Sequence, residues 1–147
     1  MADVQAHLKQ YWHNRALVPA LPATHNDWIV TVVFYCGVQL VDAVLAHGGL
    51  HPTSHQKRNE MIANVRKLEF IAERYDVLYQ LARKVRYLAD PAKWVPLADV
   101  EQKVLRAYLY PIEHSAYKLL NLQETHTLIK LPSAALTEPP LSTEASS

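Results

Sequence analysis

The chain has 147 residues, half of them hydrophobic, and a formal charge of +1 at pH 7. That length suits one domain with a real core, and the near-zero charge excludes a global electrostatic drive toward nucleic acid. Three glycines are too few to turn an all-β chain, and the lone cysteine, Cys36, excludes an internal disulfide. Composition therefore predicts an all-α protein of a reducing compartment.

A first helix is predicted over about Val4 to Leu17, with Leu8, Trp12, Arg15 and Ala16 sharing a side, stopping before Pro19 and Pro22. Thr24 with Asp27 three residues on reads as a capping box that opens a second helix, which runs to about Ala46 and ends at Gly48-Gly49. From Trp28 to Val41 this helix carries no charge. Ile29, Val32, Val33, Cys36, Leu40, Ala43 and Val44 line one face, and Val30, Phe34, Val38, Val41 and Leu45 the other. Apolar on both sides, it is expected to be buried in its own bundle on one side. On the other, Phe34, Val38 and Leu45 are expected to meet a second copy in a homodimer. A membrane span is the rival reading. Gln39 and Asp42 interrupt the run, it falls short of the ~20 residues a bilayer core needs, and no basic cluster flanks it. The Met1 end shows no secretory pattern, so a cytoplasmic protein without membrane contact is expected.

Pro52-Thr53 with Gln56 three residues on predicts the next helix start. No glycine or proline follows until Pro91, and a break near Arg66 to Glu69 is expected to divide the segment into two helices. The second carries Ile71, Tyr75, Leu78, Leu81 or Ala82, Val85 and Leu88 as a bundle seam. Between Lys57 and Arg86 stand eight basic residues against four acidic ones, a local charge of +4. That excess suits a solvated helix face with cations toward its C-terminus, or a surface for an anionic ligand. Pro91 and Pro96 bracket a loop containing Trp94. Asp99 with Gln102 caps a final helix from about Val100 to Leu122, striped by Val104, Leu105, Tyr108, Ile112, Ala116 and Leu119 and kinked by Pro111. From Gln123 the pattern dissolves, and residues 133–147 hold eight Ser, Thr or Pro residues. The expected organisation is an up-and-down bundle of four to five helices over residues 1–122 and a mobile tail over 123–147.

Asp27-Trp28 opening a very apolar second helix, and His51-Pro52-Thr53-Ser54-His55-Gln56-Lys57-Arg58-Asn59 opening the third, make this chain resemble the HEPN family over roughly Asn26 to Leu122. Tyr75, Leu78-Tyr79 and Val85-Arg86-Tyr87 are similar to a Tyr, Leu-Tyr and Ala-Arg-Tyr pattern in some members. The resemblance implies a compact helical bundle, usually dimeric. Such bundles occur in RNA-cutting toxins of toxin-antitoxin systems, in partners of minimal nucleotidyltransferases, and in proteins without catalysis. Active members carry an arginine, often followed by a polar residue, then four to six residues and a histidine. Here Arg58-Asn59 supplies the first half, but the next histidine is His114, and seven residues intervene between Arg106 and His114, one too many. The family's usual ribonuclease motif is missing.

A rearranged catalytic set of His51, His55 and Arg58 is the alternative. Metal-independent RNA cleavage needs a base near neutral pH and a cation for the developing phosphorane, and these residue types suit those roles. The plainer reading leaves both histidines as loop residues bonded to backbone. His47, His51 and His55 are spaced like metal ligands on a helix, but Gly48, Gly49 and Pro52 destroy that helix, and no cysteine pair or His-Glu-x-x-His motif supports zinc. No metal or cofactor is expected. In the second helix Tyr35, Gln39 and Asp42 form a polar line, which reads as an interhelical network with Arg83 or Arg86 as the mate of Asp42. With Tyr79 they also read as the wall of a nucleotide or RNA pocket. The candidate ligand residues are thus Arg58, Asn59, Asp42, Tyr79 and Arg86. The expected role is a dimeric binding or regulatory module for RNA, nucleotides or a nucleotidyltransferase-type partner. A ribonuclease and a structural helical adaptor stand as alternatives.

Overall fold

The computed structural model describes residues 2–87 and 95–132, so the seam residue Leu88, the loop residues Pro91 and Trp94 and the tail over 133–147 lie outside the described residues. Helix α1 spans Val4–Leu17, with the Asp3 carboxylate accepting from the Ala6 N–H at 2.8 Å as its N-cap. It tightens into a 3₁₀ turn, Val18–Ala20, where Pro19 cannot continue an α-helix. Leu8, Tyr11 and Arg15 form its buried side at i, i+3 and i+7.

Helix α2 spans Asn26–His47, and fourteen of its 22 residues are buried. The predicted capping box does not form. His25 takes the N-cap position without a side-chain cap, a 3₁₀ turn over Ala23–His25 leads in, and Thr24 Oγ1 meets the His25 ring at 3.0 Å instead. The helix start is tied down by Asn26 Nδ2, which donates to the Val95 carbonyl at 2.6 Å. At the other end Gly49 adopts φ 81°, and the Leu50 N–H bonds the Leu45 carbonyl at 2.8 Å, the left-handed stop that the Gly48-Gly49 pair predicts.

Helix α3 spans His55–Ala63, capped by Ser54 Oγ accepting from the Lys57 N–H at 3.1 Å, one residue after the expected Thr53. The expected break follows: a 3₁₀ turn over Arg66–Leu68 leads into α4, Glu69–Tyr87. The last rod begins at Pro96 rather than at an Asp99 cap. Its short α5, Leu97–Val100, runs into a π-helical stretch over Glu101–Leu109 and on to α6, Tyr110–Leu119. Pro111 sits at the point where the wide turns return to α. A proline lacks the N–H for an i−4 bond and crowds the carbonyl there, so the ladder accommodates it by widening upstream.

The described residues hold no strand, and the architecture is an all-α up-and-down bundle. Helix α2 is its axis, packed on α1, α4 and the final rod. Gly37 brings α4 close, because a Cβ there would stand 3.4 Å from Leu78 Cδ1. The residues expected at a dimer interface are covered within one chain. Phe34 is fully buried, Val38 is 5 % exposed and Leu45 2 %. Phe34 lies within 5.8 Å, centroid to centroid, of Tyr75 and Tyr79 on α4 and of His55 on α3. The second apolar side of α2 faces this hairpin of helices, so those residues form no surface for a second copy. By length and composition Ala23–His47 could cross a membrane, but 78 % of its most apolar stretch is buried inside the fold, as in a core helix.

The chain after α6 also departs from expectation. Asn121, at φ 56°, turns it with Leu122 N–H bonded to the Tyr117 carbonyl, and residues 123–132 then run back over the bundle without regular structure. Ile129 is 6 % exposed, its N–H bonds Tyr110 Oη at 2.9 Å, and the Thr127 carbonyl accepts from Arg15 Nη2 at 2.6 Å. This segment is a docked strap.

Candidate functional site

The polar line on α2 is held by three different helices. Gln39 Oε1 lies 2.8 Å from His7 Nδ1 of α1, Tyr35 Oη accepts from Arg86 Nη1 of α4 at 3.1 Å, and Asp42 pairs with Arg58 of α3. The mate of Asp42 is therefore Arg58, not Arg83 or Arg86. Arg58 Nε and Nη2 donate to the two carboxylate oxygens at 2.7 and 3.0 Å, a bidentate pair. Arg58 is 8 % exposed and Asp42 6 %. Burial works against the guanidinium charge, but the hydrogen bonds and charge of Asp42 more than offset it and raise the Arg58 pKa. The third arm, Nη1, stands 3.1 Å from His55 Nδ1.

That contact settles the state of His55. A guanidinium N–H can only donate, so Nδ1 must accept, and the neutral ring carries its proton on Nε2. Burial lowers the His55 pKa, the charges of Arg58 and Arg86 lower it further, and Asp42 offsets only part of this. The ring sits among Phe34, Tyr35 and Tyr79, with centroids 5.8, 6.4 and 5.8 Å away. In this arrangement the Nδ1 lone pair faces Arg58 and Nε2 carries the proton. His51 lies in the loop before α3, half-buried, and among the described residues it has no hydrogen bond to this network. The catalytic set read from the sequence thus comes together only as His55 with Arg58, both committed inside the chain.

Asn59 follows one residue after Arg58 on α3, and its Oδ1 is buried without a hydrogen-bond partner. It lines a small cavity of about 160 Å³ between α3 and α4 with Ile62, Ala63, Ala72, Tyr75 and Asp76. The Tyr75 hydroxyl is likewise without a partner, and burial pushes its pKa up to about 12 while Arg58 pulls it back.

On the outer side of α4 the chemistry differs. Arg83 is exposed and its Cζ stands 5.9 Å from the centre of the half-buried Tyr79 ring. Arg86 is anchored by Tyr35 Oη and the Ala82 carbonyl, with Cζ 5.9 Å from the Phe34 and Tyr35 rings. Tyr87, 76 % exposed, lies 5.5 Å from the same guanidinium. Cations interleaved with aromatic rings thus run along one helix face.

A second buried polar cluster lies beneath the strap, and the sequence reading missed it. Glu113, 1 % exposed, accepts from Arg15 Nε at 2.6 Å, from Arg15 Nη2 at 3.3 Å and from the Tyr11 hydroxyl. Its one sequence signal was Arg15 on an apolar side of α1, a position that demands a buried carboxylate. Among the described residues no group of three or more His, Cys, Asp and Glu side chains is placed to hold a metal ion.

Neither a protein-family model nor a curated protein nor a solved structure matches this chain.

Proposed function

We propose that this protein is a non-catalytic, HEPN-like binding module that takes RNA or nucleotides on the face of α4 around Tyr79, Arg83, Arg86 and Tyr87. The observation that carries the reading is the split between the two arginine groups. Arg58 is consumed by Asp42 and His55 inside the bundle, whereas Arg83 lies outside beside an aromatic ring and Arg86 bridges Tyr35 and the Phe34 ring. Guanidinium groups beside aromatic faces suit phosphate contact with base stacking, and they tolerate any base sequence because every base has a π-face. Arg83, Lys84 and Arg86, with no acidic residue between them, add positive charge at this end of α4. The absence of a histidine at the motif spacing after Arg58 and the engagement of His55 Nδ1 by Arg58 support binding over cleavage.

Fluorescence anisotropy with a labelled single-stranded RNA tests the reading. Arg83→Ala and Arg86→Ala should each weaken binding by about tenfold to a hundredfold, the equivalent of a charge-assisted hydrogen bond of ~1.5–3 kcal/mol, with steep salt dependence. No binding by the wild-type protein, or binding indifferent to both substitutions, would count against it.

A further inference from the structure

The strap over residues 123–132 inserts one side chain deeply, and that side chain is a histidine. The His126 ring is stacked on Trp12 at 5.1 Å and meets the edges of Tyr117 at 4.5 Å and Tyr11 at 5.8 Å. Its side chain is 6 % exposed, and both ring nitrogens are buried without a hydrogen-bond partner. The Glu124 carboxylate comes within 3.4 Å of Nδ1 without meeting hydrogen-bond geometry, and its other oxygen is held by His114 Nδ1 at 2.8 Å. We propose that the strap is a proton-sensitive latch: it docks with His126 neutral in the Trp12–Tyr117 cage and leaves the bundle when His126 is protonated.

An imidazolium has two N–H donors: Nδ1 has only the Glu124 oxygen at 3.4 Å, outside hydrogen-bond geometry and on a carboxylate shared with His114, and the buried Nε2 has no hydrogen-bond partner. The charged groups facing it are Arg15 from α1, Glu113 from α6 and Glu124 on the strap itself, with the Tyr11 and Tyr117 phenols. Glu113 is hydrogen-bonded to Arg15 and Tyr11; its charge is the strongest influence favouring the protonated ring, and the Arg15 charge beside it works the other way. Burial lowers the His126 pKa; Arg15 lowers it too, while Glu113 and Glu124 only partly oppose. The sign follows directly. The released strap binds a proton more readily than the docked one, so docking is fully favoured above about pH 6.5, the ordinary histidine pKa, and is lost as pH falls below it. The other contacts that hold the strap are the Arg15 bond to the Thr127 carbonyl, the Tyr110 bond to Ile129, the exposed His114–Glu124 contact, and the Ile129 and Leu131 side chains.

The test uses the full chain with Trp28→Phe and Trp94→Phe, so that Trp12 alone reports. Between pH 8 and pH 5 its emission should move to the red with a midpoint below 6.5, and amide exchange at Thr127 to Lys130 should speed up, while helical circular dichroism stays constant. His126→Phe should abolish the transition and keep the strap docked at pH 5, and His114→Gln should leave it in place. The proposal is overturned if no transition occurs, if it survives His126→Phe, if it disappears with His114→Gln, or if helical signal is lost in the same step.

Discussion

Arg58 reaches back from the first turn of α3 to Asp42 in the last two turns of α2, closing a bidentate ion pair that is buried at both ends and shared with a histidine. This pair ties the short α3 to the central helix. Removing one partner leaves an uncompensated buried charge, so Arg58→Ala or Asp42→Ala should destabilise the fold by about 3–5 kcal/mol. Arg58→Met with Asp42→Leu, which removes both charges together, should cost far less. Urea denaturation of the three variants checks the ordering. Equal losses in single and double variants would show that the pair does not act as a unit.

How much of this was legible in the sequence depends on the range of the interaction. The bounds of α1 and the break before α4 follow from local punctuation: Pro19 ends one helix, and the loss of apolar period near Arg66 ends another. The caps at Ser54 and His25 were misplaced because several candidate residues stand side by side and only backbone geometry selects among them. Asp42 was expected to pair with α4. The choice of Arg58 rests on how α3 crosses α2, which no local pattern encodes. The strap is legible only as tail for a related reason: its anchors are single residues, His126, Thr127 and Ile129, whose partners Trp12, Arg15 and Tyr110 lie outside any local pattern.

Ending the chain at Leu122 should therefore destabilise it by at least the ~1.5–3 kcal/mol of burying one large aliphatic side chain, because Ile129 and the cover over Arg15–Glu113 are lost. Removing residues 133–147 alone should move the melting temperature by about two degrees at most. Differential scanning calorimetry of the two truncations distinguishes a docked strap from a dispensable one.

Cys36 is fully buried on α2, and burial pushes its thiol far above the ordinary range. It should resist a thiol reagent in the native protein at pH 8 and react at the rate of a free thiol once urea unfolds the chain. Fast labelling without denaturant would mean that α2 opens readily.

The His55 ring should titrate below pH 6.5, because burial and the charges of Arg58 and Arg86 disfavour its protonated form. Its folded pKa lies under the unfolded one, so it contributes stability that is complete above about pH 6.5 and declines as pH falls further. NMR titration of the ring proton gives the midpoint directly. A midpoint above 6.5 would mean that the Arg58 contact is absent in solution.

The central claim, an RNA-binding face without cleavage, is tested most directly by one native gel. Wild-type protein is incubated with end-labelled single-stranded RNA in EDTA at low salt, and each lane reads both retarded and shortened RNA. The account predicts a retarded band of intact RNA that fades in Arg83→Ala and Arg86→Ala and persists in His55→Ala. Shortened products that vanish with His55→Ala would contradict it.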